Sequence, residues 1–299
     1  MKLPLLRSIG TAAAAGAALF LVVRRFEDDL IFWPWRRLRG TPQDHGLLHE
    51  DVVLEPAPGI RIRGWFVEHS SPRGVVLYLE GNGANRSTRL GHVAMLHSLG
   101  YSVLIMDYEG YGDSDGRPSE HTVYRDARAA RKWLAQDPRT KNLPQALFGE
   151  SLGGAVSLAL AREDPPQAVI VDHSFSTMAD MINRVCRGVP LSRICRSRYN
   201  SLENVREYHG PILIMHGDAD RFIPIEQGRR LFEAANEPKT FLTVPGAGHD
   251  HNEVLRVGGE TYRETVRQFL EKTLVNSDAD EPALVGPATG GQWAATHEA

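Results

Sequence analysis

The chain has 299 residues, 42% of them hydrophobic, and a formal net charge of −3 at neutral pH. This length and apolar content suffice for a sizeable core, in one large α/β domain or two small ones. The nearly balanced charge, with no strongly basic half, argues against a nucleic-acid partner. Cys186 and Cys195 lie outside any CxxC or Cys/His cluster, so no metal site is expected. The sequence leaves open whether these two cysteines are free or form a disulfide.

Residues 1–25 predict a membrane anchor or a signal segment. An uncharged run at 8–23 is followed by Arg24 and Arg25. The run is shorter than the about 20 residues of a typical membrane span, but a tilted helix can accommodate that length. Its most apolar part follows the alanines, whereas a cleavable signal places its small residues last. We therefore expect an uncleaved, single-pass N-terminal membrane anchor, with the side of the membrane left open.

Residues 26–50 are interpreted as an interfacial linker. Aromatic residues followed by arginines at 30–37 suit a membrane surface, with the rings at headgroup depth. The alternative is a loop packed on the domain. At the other end, residues 276–299 are rich in Asp, Pro, Gly, Ala and Thr, which is typical of a disordered tail.

Residues 51–275 alternate between strand and helix patterns. Strands at 52–54 and 60–67 flank a Pro-Gly turn, which predicts an antiparallel N-terminal hairpin. Later strands are predicted at 75–79, 103–106, 145–148, 168–171, 212–215 and 240–244, with helices at 90–99, 119–136, 225–235 and 260–274. The pattern predicts an α/β fold with a mostly parallel central sheet and helices on both faces. A segment of mixed character at 174–209 is expected to be a short lid insertion over an accessible, shallow pocket.

A Gly-x-Ser-x-Gly sequence surrounds Ser151, between an apolar strand and a helix of small residues. This context is typical of a nucleophile elbow, where the serine stands on a sharp turn. Gly149 and Gly153 let the strand and helix approach closely. The pentapeptide alone is weak evidence, because a glycine-rich turn with a solvated serine has the same pattern.

An acid and a histidine follow two later strands, at Asp220 and His249. Ligand sites of parallel α/β sheets lie at the carboxyl ends of the strands, so both side chains are expected near Ser151. The order Ser, Asp, His is the order found in α/β-hydrolases. Asp218 is the rival acid, and the rival histidines or acid–base pairs are His216, His251 and Asp172 with His173.

These motifs resemble the α/β-hydrolase superfamily of serine hydrolases. The similarity is to a membrane-anchored, small-lid branch related to serine aminopeptidase-like and acyl-protein thioesterase-like enzymes, and it covers residues 52–274. The matching motifs are HGNxxN at 80–85, DYRGYGxSxG at 107–116, GxSxGG at 149–154, HGxxDxxVP at 216–224 and GHN or GHD at 248–250.

The resemblance and the chemistry together imply a hydrolase of small acyl esters or thioesters, without a cofactor. Ser151 would attack the acyl carbonyl, His249 would accept and return the proton, and Asp220 would orient the imidazole. The backbone N–H groups of Asn82 and Leu152 would form the oxyanion hole. The alternatives are a serine peptidase with the same triad and a catalytically silent hydrolase fold that serves as a binding module.

Two residues depart from the motifs. Glu80 replaces a histidine in the first loop, and Glu109 replaces an arginine in the second. A carboxylate near a developing oxyanion opposes it unless the carboxylate is neutralised or turned away. Backbone donors do not depend on these side chains, so the oxyanion hole can persist.

Overall fold

The computed structural model describes residues 20–186, 191–250 and 252–275. The strands are β1 (Trp33–Pro34), β2 (Glu50–Ala57), β3 (Ile60–Val67), β4 (Val75–Leu79), β5 (Gly83–Ala84), β6 (Ser102–Met106), β7 (Gln145–Glu150), β8 (Ala168–Asp172), β9 (Ile212–Gly217) and β10 (Lys239–Val244). The helices are α1 (described over residues 20–31), α2 (Leu90–Ser98), α3 (Glu120–Gln136), α4 (Leu152–Glu163), α5 (Met178–Val185), α6 (Ser201–Glu207), α7 (Ile225–Ala234) and α8 (Glu253–Leu270).

Eight strands form one sheet in the order β10-β9-β8-β7-β4-β6-β3-β2. The pairs from β10 to β6 are parallel, whereas β3 pairs antiparallel with both β6 and β2. The predicted α/β fold, with its mostly parallel sheet and antiparallel N-terminal hairpin, is confirmed.

Helices cover both faces of the sheet. All five residues of β4 are buried, and they alternate between two hydrophobic clusters. Val75, Leu77 and Leu79 pack with residues of α3, α4 and α7, while Val76 and Tyr78 pack with residues of α2 and α8. Alternate side chains of a strand point to opposite faces, so a strand buried on both faces has a continuous apolar sequence.

Helix α8 begins at Glu253, seven residues before the predicted start at Glu260. Gly259 has a φ of 49° within it, where the helix is kinked. Two helical parts meet at this kink, so the predicted start at Glu260 coincides with the beginning of the second part. Val254 on one side of the kink and Tyr262 on the other belong to the same hydrophobic cluster.

The prediction of a single-pass N-terminal membrane anchor is contradicted. Within the described residues, no helix is long and apolar enough to cross a membrane. Residues 1–19, which include most of the uncharged run, and the predicted tail at 276–299 lie outside the described residues. The described part of α1 carries charged residues, among them Glu27, which is buried against the rest of the protein.

Residues 32–39 follow α1 and pack on the loop after β4. Strand β1 pairs with β5, and the side-chain amide of Asn85 donates to the carbonyls of Trp35 (3.0 Å) and Arg37 (2.9 Å). This part of the predicted interfacial linker is therefore held by hydrogen bonds to residues 83–85, in the loop after β4.

Candidate active site

Ser151 stands on a strained turn between β7 and α4. Its φ of 52° and ψ of −115° are unusual for a residue other than glycine. Its N–H donates to the carbonyl of Asp172 (2.9 Å), and its own carbonyl accepts the hydroxyl of Ser174 (2.7 Å). A Cβ on Gly153 would lie 1.9 Å from the carbonyl oxygen of Leu79, so only glycine fits there. The small residues of the motif thus allow the turn, and hydrogen bonds of Ser151 with Asp172 and Ser174, at the end of β8, fix its conformation.

Three of the predicted side chains are in contact. The Oγ of Ser151 lies 3.2 Å from Nε2 of His249, and Nδ1 of His249 lies 2.6 Å from Oδ2 of Asp220. The other carboxylate oxygen of Asp220 accepts the N–H groups of Phe222 (2.9 Å) and Ile223 (2.8 Å). This is the geometry of a serine nucleophile, a base and an orienting acid.

The charges of this group suit the same roles. Burial would raise the pKa of Asp220, but hydrogen bonding to His249 and the backbone outweighs burial and lowers it, so the carboxylate is ionised. Burial lowers the pKa of His249 below its ordinary value of 6.5, despite the opposing effect of Asp220. A neutral imidazole at neutral pH can accept the serine proton.

The rival residues have other partners. Asp218 accepts the N–H of Gly246 (2.7 Å) at the surface and so ties two loops together. His216 is fully buried, and its Nε2 lies 2.8 Å from the carbonyl oxygen of Ile223. His251 lies outside the described residues. Asp172 and His173 do form a close pair, with 3.1 Å between carboxylate oxygen and Nδ1.

The two predicted oxyanion donors line the same cavity as Ser151. Leu152 is the first residue of α4, where backbone N–H groups have no partner within the helix. Asn82 is fixed by two hydrogen bonds. The hydroxyl of Tyr111 donates to the backbone carbonyl of Asn82 (2.6 Å), and the side-chain amide of Asn82 donates to the carbonyl of Ile31. The arrangement is compatible with an oxyanion hole, whose donors remain a prediction.

The two departures from the motifs do not place a free negative charge beside this site. Glu80 is fully buried, and its carboxyl group interacts with the buried carboxyl group of Asp107. Burial and the neighbouring charge of Asp107 raise its pKa well above 4.5, which favours the neutral form of Glu80. Glu109 forms an ion pair with Arg125 of α3.

A cavity of about 410 Å³ extends from Ser151 and is mainly apolar. Its lining comprises Val23, Glu27, Leu30, Ile31, Trp33, Asn82, Ser151, Leu152, Phe175, Met178, Met181, Ile182, Val185, Cys186, Leu191, Cys195, Phe222 and Ile223. The volume lies in the range of small-molecule sites. The cavity is walled by α1 as well as by the insertion.

Sequence reasoning missed the contribution of α1. Its cavity residues Val23, Glu27, Leu30 and Ile31 follow a helical spacing of four, three and one, which indicates one helix face. The sequence shows this spacing, but Val23 was assigned to the membrane anchor and the other three residues to the interfacial linker. Cys186 and Cys195, the pairing of which was left open, are free thiols at the same cavity.

Helix α1 is attached to the insertion by a buried carboxylate. Glu27 is 2% exposed, and its oxygens accept the backbone N–H groups of Arg196 (2.7 Å) and Ser197 (2.7 Å). The next residue, Asp28, pairs with the guanidinium of Arg196 at 3.1 Å. Burial alone would raise the pKa of Glu27, but these N–H donors lower it overall.

The described residues contain no group of three or more His, Cys, Asp or Glu side chains that could hold a metal ion. The site consists of a serine at an elbow, a neutral histidine, an ionised aspartate and an apolar cavity. Fold and site together define a protein of the α/β-hydrolase class.

Comparison with known proteins agrees with this class. The family model for serine aminopeptidases (S33) matches residues 70–194. An uncharacterized protein of Mycobacterium tuberculosis is 39% identical over 227 residues, which cover 75% of this chain and 80% of that protein. The α/β-hydrolase domain-containing protein WAV2 of Arabidopsis thaliana is 29% identical, with 88% of this chain and 92% of that protein covered.

Two further relatives have named activities. The lysophosphatidylserine lipase ABHD12 of Danio rerio is 31% identical, over 67% of this chain and 62% of that protein. The esterase Pf2001 of Pyrococcus furiosus has a similar structure, with a TM-score of 0.69, 20% identity and coverage of 81% of this chain and 99% of that one. The chain belongs to the α/β-hydrolase superfamily of serine hydrolases, and these relatives support hydrolase activity.

Proposed function

We propose that the protein hydrolyses carboxylic esters or thioesters of acyl chains through Ser151, His249 and Asp220. The observation that carries the proposal is the continuous contact from Ser151 to His249 to Asp220 at the mouth of an apolar cavity. Ser151 attacks the acyl carbonyl while His249 accepts its proton. His249 then protonates the leaving alcohol or thiol, and water releases the acyl group in a second step of the same kind.

The cavity supports an acyl chain as the group bound there. A volume of about 410 Å³ would accommodate a chain of medium to long length, if a methylene group occupies about the 30 Å³ of a water molecule. Leu30, Met181 and Phe175 are among its apolar walls. Burial of methylene groups stabilises a bound chain by about 0.8 kcal/mol each, so chain length should be reflected in affinity.

The family model's description makes a serine peptidase the second candidate. An aminopeptidase needs an acidic group for the substrate's α-ammonium. Among the described residues that line the cavity, Glu27 is the only charged one, and its carboxylate already accepts two backbone N–H groups. Because the Glu27 carboxylate already binds these N–H groups, it is not free to bind an α-ammonium group, which favours the ester or thioester substrate.

The proposal is tested by comparing two substrate series. One is a panel of p-nitrophenyl esters graded from acetyl to palmitoyl, and the other is a set of aminoacyl p-nitroanilides. We expect ester hydrolysis with a preference for the middle or long chains, and at least about a thousandfold loss in Ser151→Ala. Hydrolysis of the anilides alone would support the peptidase. No turnover of either series by the wild-type protein would support a silent binding module.

A pair of variants tests whether the cavity binds the chain. Leu191→Trp adds volume at the cavity wall and should reduce activity toward long esters more than toward acetyl ester. Leu48→Trp, at an exposed site outside the cavity lining, is the matched control. An unchanged chain-length profile in Leu191→Trp would contradict the assignment of the cavity.

A further inference from the structure

His173 is a buried histidine beside the candidate site that the proposed reaction does not use. It directly follows β8, is 1% exposed and has a φ of 36°. A positive φ is uncommon for residues other than glycine, and such strain persists only where surrounding contacts hold it. Here the backbone N–H of His173 donates to the carbonyl of Met215 (2.8 Å).

The conformation places the ring of His173 against the ring of His249. The ring centroids are 4.8 Å apart and the planes meet at 83°, an edge-to-face contact. The two residues that flank His173 bind the backbone of Ser151, since Asp172 accepts its N–H and Ser174 donates to its carbonyl. One tripeptide therefore contacts both the nucleophile and the base.

The surroundings of His173 are mainly acidic. Its Nδ1 lies 3.1 Å from a carboxylate oxygen of Asp172, and its Nε2 lies 3.8 Å from Glu150. Burial lowers the pKa of His173, but Asp172, Glu150 and Asp220 outweigh burial and raise it overall. The titratable and charged groups that act on it from neighbouring elements are Asp172, Glu150, Asp220, His92, His216 and His249.

We propose that His173 is a positioning residue for the hydrolytic reaction: its ring, edge-to-face with that of His249, holds the imidazole of His249 in line with Ser151. Lying between His249 and the carboxylates of Asp172 and Glu150, His173 also opposes protonation of that imidazole. The inference rests on the proposed function. A cation beside His249 keeps the base neutral at lower pH. It also makes protonated His249 a stronger acid toward the leaving group, so that both proton transfers are affected.

Two substitutions separate the ring from the charge. His173→Phe keeps an aromatic edge against His249 and removes the charge. His173→Asn removes both, and asparagine tolerates a positive φ better than most residues. The matched control is His97→Phe, at a partly buried histidine of α2 that contacts His69 and the carbonyl of Glu68.

The readout is the pH profile of kcat/KM for a p-nitrophenyl ester. Wild type should have an acid limb below 6.5, because the pKa of His249 is lowered. In both His173 variants the limb should move upward by about half a pH unit or more, because a like charge at this distance is removed. The plateau value of kcat should fall further in His173→Asn than in His173→Phe, with KM little changed, and His97→Phe should match wild type.

Circular dichroism establishes that a variant is folded before its profile is interpreted. An acid limb at the wild-type position in either folded His173 variant would overturn the inference. Ester hydrolysis by wild type is measured in the same series, so its absence would instead contradict the proposed function. The two failures are therefore distinguishable.

Discussion

Asp218 and Asp220 lie two residues apart in one loop, yet their carboxylates have different surroundings. Asp220 faces His249 at 2.6 Å and is held by two backbone N–H groups. Asp218 faces solvent and accepts one N–H, from Gly246. At the scale of single residues, the partners and burial of each aspartate, rather than its residue type, decide which one belongs to the site.

We predict that Asp220→Asn lowers kcat by about a thousandfold or more. The amide oxygen would stay with the N–H groups of Phe222 and Ile223, so the NH2 group would face Nδ1 of His249 and favour the wrong tautomer of its imidazole. Asp218→Asn should reduce it less than about tenfold, since the amide oxygen can still accept the N–H of Gly246. Steady-state kinetics on one ester measures both. The reverse ranking would assign the orienting role to Asp218.

At the scale of elements, the cavity depends on a contact between two segments distant in sequence. Helix α1 contributes Val23, Leu30 and Ile31, while the insertion contributes residues of α5 and also Leu191 and Cys195. Glu27 joins them through the N–H groups of Arg196 and Ser197. The wall of the cavity is therefore expected to loosen when this carboxylate is removed.

Glu27→Ala should lower the free energy of unfolding by roughly 1–3 kcal/mol, because two N–H donors lose a buried acceptor. It should also raise KM for long esters more than for acetyl ester. Glu27→Gln, which keeps one acceptor oxygen, is the matched control and should lie between wild type and Glu27→Ala. Urea denaturation measures the free energy of unfolding, and steady-state kinetics measures KM. If Glu27→Ala has the wild-type value of both quantities, the role of this contact is contradicted.

At the scale of the whole molecule, the buried acids make stability depend on pH. The raised pKa of Glu80 means that the folded state retains a proton that the unfolded state loses above about 4.5. Stability therefore falls as pH rises from that value toward the folded-state pKa. Asp126, with a pKa raised to about 8 by burial, acts in the same direction.

Glu80→Gln removes one of these ionisations and keeps the shape of the side chain. We expect the difference in Tm, variant minus wild type, to increase as the pH is raised from about 5 to about 8. Asp126 contributes equally to both proteins, so the difference reports Glu80 together with Asp107, whose ionisation is linked to it. Thermal unfolding across this range tests the prediction. A constant difference would show that Glu80 is ionised in the folded protein.

Much of the fold was predictable because the central strands are buried on both faces and so have continuous apolar sequences, as at Val75–Leu79. The contact of Ser151, Asp220 and His249 followed from the position of each after a parallel strand. The packing of α1 was not predictable in this way, because its apolar residues suit a membrane and a cavity wall equally well. The raised pKa of Glu80 and the ring contact of His173 depend on tertiary neighbours, and no local pattern encodes them.

The central claim is that Ser151 is the nucleophile, and covalent labelling tests it most directly. A fluorophosphonate, a mimic of the tetrahedral intermediate, should add once to the full-length wild-type protein. Peptide mass spectrometry should place the adduct on Ser151. Ser151→Ala should remain unlabelled while its circular dichroism matches wild type. Absence of labelling in folded wild type, or equal labelling of Ser151→Ala, would contradict the account.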